Sequence, residues 1–69
     1  MINPKDIEKV IEQKAFAYLG SEPMEKCIVD HEMSEYLYRN VLQPKDRRDY
    51  YIMYCKKKKE MMKWKKNLI

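Results

Sequence analysis

One glycine and three prolines in 69 residues leave the chain poor in the residues that reverse a backbone. Several β-strands would need such residues at every turn, so a β-rich fold is not expected. A lone glycine also cannot build a phosphate-cradling loop. Two cysteines do not make the dense disulfide framework of a small secreted domain, and an intracellular, reducing compartment, cytoplasmic by default, is the expectation. The longest continuous apolar run, Tyr50 to Cys55, is far shorter than the roughly 20 residues that span a bilayer, so integral membrane insertion is not expected. The opening Met1-Ile2-Asn3-Pro4-Lys5-Asp6 offers no apolar signal core, arginine-rich presequence or myristoylation glycine.

Catalytic signals are equally sparse. The sole histidine, His31, lies four residues from Cys27, with no orienting third group and no oxyanion hole in prospect. No enzyme and no cofactor are expected. Cys27, His31 and Glu35 follow at four-residue steps and can share a helix face, but a metal site needs three or four convergent ligands with outer support. A metal or redox role is the remotest reading. A Cys27 to Cys55 bridge in a helical hairpin turning near Pro44 leaves an axial mismatch of roughly 6 Å, so two packing thiols are expected.

What remains is a chain rich in Lys, Glu, Met, Leu, Ile and Tyr, which reads as a single all-α domain over residues 1–69. At this length folding buries only about 60% of the unfolded surface, and the core must be thin. The expected architecture is a small three-helix bundle, or a helical hairpin with a projecting basic C-terminal helix. A first helix runs from about Pro4 to Leu19, capped by Asn3 and closed by Gly20. Its Ile7, Val10, Ile11, Ala15, Tyr18 and Leu19 form one apolar stripe. A second helix spans about residues 23–42, bounded by Pro23 and by Gln43-Pro44. A third covers about 45–67.

The second helix is apolar on two sides. Met24, Cys27, Ile28, Tyr38, Val41 and Leu42 share one side with His31, whereas Val29, Met33, Tyr36 and Leu37 project from the other. So short a chain has little material to cover both, and the surplus points to a partner or to self-association. The Tyr50 to Tyr54 run surrounds its helix in the same way. Val29, Met33, Tyr36, Leu37 and Tyr51, with Trp64, are the expected partner contacts.

Charge is distributed unevenly along the chain. Net charge is +4, yet residues 56–69 hold seven lysines and one glutamate, while the preceding residues are net negative. Lys56, Lys59, Lys63 and Lys66 cluster on one side of the helical wheel, opposite Met61, Trp64, Leu68 and Ile69. Lys57, Lys58 and Lys65 interrupt the apolar arc, which disfavours a membrane-surface helix. These features suit a non-enzymatic accessory subunit or regulator that binds a larger protein through an apolar helix face and docks the lysine segment on an acidic surface. The alternative is a nucleic-acid-binding regulator. With no arginine in the segment, its binding would be largely indifferent to sequence.

Overall fold

The computed structural model describes residues 3–67, with side chains described through residue 63. Three helices pack against one another: α1 (Pro4–Gly20), α2 (Pro23–Asn40) and α3 (Pro44–Asn67), with no strand among the described residues. The Asn3 side chain accepts a hydrogen bond from the Lys5 amide at 3.0 Å, satisfying a donor that the first turn leaves free. Pro4, Pro23 and Pro44 each open a helix, where a missing N–H costs nothing.

Two helix ends differ from the sequence reading. Gly20 is the last helical residue of α1, without the left-handed backbone of a glycine cap. Ser21 closes the turn instead, its amide bonding Tyr18 O at 3.2 Å and its hydroxyl bonding Ala17 O at 2.6 Å. Helix α2 ends at Asn40, two residues before the expected limit. Val41 is extended, with its amide on Leu37 O at 2.9 Å. Arg47 then reaches back from α3, donating from Nε to Val41 O at 2.6 Å and from Nη2 to Leu42 O at 3.2 Å. One guanidinium thereby satisfies two carbonyls of the corner, which an early helix end would otherwise leave to solvent.

The core joins Ile7, Ile11 and Ala15 of α1 to Met33 and Leu37 of α2, Val41 of the connection and Tyr54 of α3. Val29 of α2 is buried as well. Full burial of side chains such as Met33 and Leu37 contributes about 2–3 kcal/mol each. Tyr50, Tyr51, Cys55 and Met61 extend the α3 contribution along the margin. Helix α3 packs more extensively on α1 than on α2, so the side of α2 facing away from both stays open. The bundle measures 41 × 23 × 17 Å, its long axis close to the roughly 36 Å expected of a 24-residue helix.

Candidate interaction surface

The best-organised polar cluster lies at the part-buried margin where the three helices meet. Asp30 of α2 accepts from Tyr54 Oη at 2.6 Å and from Lys58 Nζ at 3.0 Å, both through Oδ1. The same ammonium lies 4.0 Å from the centroid of the Tyr18 ring and 4.5 Å from that of Tyr54. Lys26 adds a second cation, bonding Tyr18 O at 2.7 Å at the end of α1, whose last turn has no basic residue of its own. A cation there complements the negative end of the helix. Burial, followed by the hydrogen bond and charge of Asp30, pushes the Tyr54 phenol far above its ordinary value. Burial and the same carboxylate raise Tyr51, and burial with Asp6 raises Tyr36.

This cluster ties all three helices together, and it corrects the reading of the lysine segment. That reading has the basic C-terminal helix project from the bundle. Lys58 is instead an internal ion-pair partner, its side chain 14% exposed against 33% for Asp30. Met61 packs against the core one turn further on. The four-lysine run continues the packing because its third member points inward while Lys56 and Lys59 point out.

The expected partner contacts on α2 also need correction. Val29, Met33 and Leu37 are buried, so they serve the core. Tyr36 and Tyr51 are half-buried against that core. Tyr51 packs against Tyr54 in a tilted arrangement, with ring centroids 5.5 Å apart. It also lines an open groove of about 320 Å³ between α2 and α3, together with Ser34, Leu37, Tyr38, Arg47, Arg48 and Ile52. The Trp64 and Lys66 side chains lie outside the described residues. Lys56, Lys59 and Lys63 are exposed.

The open face is the opposite one. Met24 is 87% exposed, Ile28 58%, Tyr38 70% and Leu42, just past the helix, 87%. His31 and Glu35 stand exposed between them, and Cys27 borders them as a free thiol. A polarity signal in the sequence distinguishes the two sides. The outer stripe carries two ionisable residues at its centre, with no partner among the described side chains of α1 or α3 to compensate their burial. The inner side has ionisable residues only at its flanks, where Asp30 meets Tyr54 and Lys58 and Lys26 meets Tyr18.

Chemically, the molecule offers surfaces more than sites. No group of three or more His, Cys, Asp or Glu side chains is placed to hold a metal among the described residues. Among them, too, no helix is long and apolar enough to cross a membrane. No protein-family model, curated protein or solved structure matches the chain.

Proposed function

We propose that this is a non-enzymatic helical interaction module, an accessory subunit or regulator. It takes another polypeptide chain on the outer face of α2 and sets the basic end of α3 against an acidic surface of a larger protein. The observation that carries this reading is the Met24, Ile28, Tyr38 and Leu42 stripe, apolar and open on the side of α2 away from the core. Exposed apolar stripes rimmed by polar residues are a feature of interaction surfaces. Lys56, Lys59 and Lys63 supply exposed positive charge that the fold does not use internally.

Nucleic-acid binding is the second reading, supported by the same three lysines. It calls for affinity that falls with salt at a logarithmic slope of roughly −3 for about three phosphate contacts. Affinity capture from native extract, with and without nuclease, separates the two. Charge reversal at Lys56, Lys59 and Lys63 is the appropriate variant, since truncation would remove Lys58 and Met61 from the fold. A protein retained after nuclease treatment and lost on charge reversal is the expected result. Loss of all captured material with nuclease would transfer the assignment to nucleic acid.

A further inference from the structure

Resting on the reading of the outer face of α2 as an interaction surface, we propose that its occupant is a second copy of this chain, with α2 packed antiparallel against α2. Met24, Ile28, His31, Glu35 and Tyr38, extended by Leu42, are spaced by alternating steps of four and three, the spacing of a two-helix seam. All six are exposed. A twofold axis level with Met33 sets Ile28 opposite Tyr38 of the second copy, and directs Met24 toward the segment past the end of its α2, where Leu42 is exposed. The same axis sets His31 opposite Glu35. Every apolar member thus meets an apolar one, and the two ionisable members meet each other. An imidazole N–H donates to a carboxylate in either protonation state of the ring.

A parallel arrangement lacks this property, because it faces Glu35 with Glu35 and His31 with His31. A foreign helix would have to carry the complementary pattern in reverse, whereas this seam contains its own complement. The borders agree. On one side Glu25 and Arg39 of the second copy lie within two residues, about 3 Å along the axis, of level, giving two opposite-charge pairs per dimer. Glu32 comes within two residues of its own copy there, but it is already held by Lys14 of its own chain at 3.3 Å. The other border, Cys27 and Ser34, is uncharged.

Within one chain Glu35 contacts Arg39 at 3.5 Å. Both side chains are more than half exposed, and a pair of that kind is weak and readily exchanged. Arg47 lies 4.7 Å from the Tyr38 ring centroid, yet most of that side chain remains accessible. The apolar seam positions of two copies present on the order of 1,000 Å², at the low end for a specific interface, which suits a dimer of moderate affinity.

Sedimentation equilibrium of the full chain from roughly 1 μM to 1 mM, with circular dichroism as the check on folding, tests the proposal over the range such an interface spans. The wild type is expected to pass from monomer to dimer. His31→Glu, which faces two carboxylates across each half of the seam, should weaken the dimer at least about tenfold. The exchange H31E/E35H should restore it to within about threefold, since the same pair is rebuilt in reverse order. A dimer indifferent to His31→Glu, or an exchange that restores nothing, overturns the proposal. A wild type monomeric throughout also overturns it. If that monomer still captures a protein in a manner lost on Ile28→Asp, the interaction-module reading survives; if capture is indifferent to Ile28→Asp, both fall.

Discussion

Lys58 provides a quantitative test of the fold, because its neighbours Lys56 and Lys59 are chemically identical controls on the same helix. Lys58→Ala removes a 3.0 Å charge-assisted contact to Asp30 and the approach to two aromatic rings. Hydrogen bonds to charged groups contribute about 1.5–3 kcal/mol, and the one-third exposure of Asp30 argues for the lower part of that range. The two cation–π contacts and the buried stem add to it, bringing the expected loss to about 2 kcal/mol. In a domain of this size that lowers Tm by roughly 10 °C. Lys56→Ala and Lys59→Ala should stay within about 0.5 kcal/mol of wild type.

Urea and thermal unfolding followed by circular dichroism give these values directly. A cycle pairing Lys58→Met with Asp30→Asn should yield a coupling of about 1 kcal/mol, since the two groups touch. Most of it should persist near 1 M salt, where the Debye length is only about 3 Å, because Lys58 is largely withdrawn from solvent. Equal stabilities for Lys58→Ala and Lys56→Ala would refute the reasoning and return α3 beyond Cys55 to the status of a solvated extension.

Three further outcomes are expected. Met33→Ala should cost about 2–4 kcal/mol by leaving a cavity in a fully buried position, while Ile28→Asp on the outer face should leave monomer stability nearly unchanged; denaturant midpoints compare the two. Gly20→Ala should stabilise by about 0.4–1 kcal/mol, since the residue is helical without a left-handed angle and an added Cβ meets no atom within 4 Å; the melting temperature reports it. Tyr54, whose folded-state pKa is raised above the ordinary 10.0, favours the fold while its phenol is protonated, so that contribution should fade as pH climbs beyond about 10. Stability measured against alkaline pH should fall less steeply in Tyr54→Phe, from a lower starting value.

The helices were legible because their signals are local. Asn3-Pro4, Pro23 and Pro44 mark starts through backbone geometry alone, and the α1 stripe of Ile7, Ile11 and Ala15 has a single apolar side to bury. On α2 periodicity gave two answers. Hydrophobicity does not distinguish Val29, Met33 and Leu37 from Met24, Ile28 and Tyr38. The choice turns on whether each side's ionisable groups find partners, and for Asp30 those partners lie 24 and 28 residues away. A lysine within a lysine run likewise shows no local sign of facing inward. Arg47 at the α2–α3 corner belongs to the same class, as its targets are main-chain carbonyls exposed only once α2 has stopped.

The preference of α3 for α1 over α2 has a consequence for how the chain acquires its structure. The two helices most extensively in contact are the first and last, joined by the longest loop the fold closes. During synthesis, α1 and α2 emerge before the Tyr54 and Met61 that complete their core, and the Asp30 carboxylate emerges without Lys58. Until residues through about 61 are extruded, the apolar stripe of α1 is covered on its α2 side alone. Native assembly should therefore be a late, concerted event with little stepwise accumulation, and nascent chains halted between the second and third helices should be the species most prone to association or to chaperone capture.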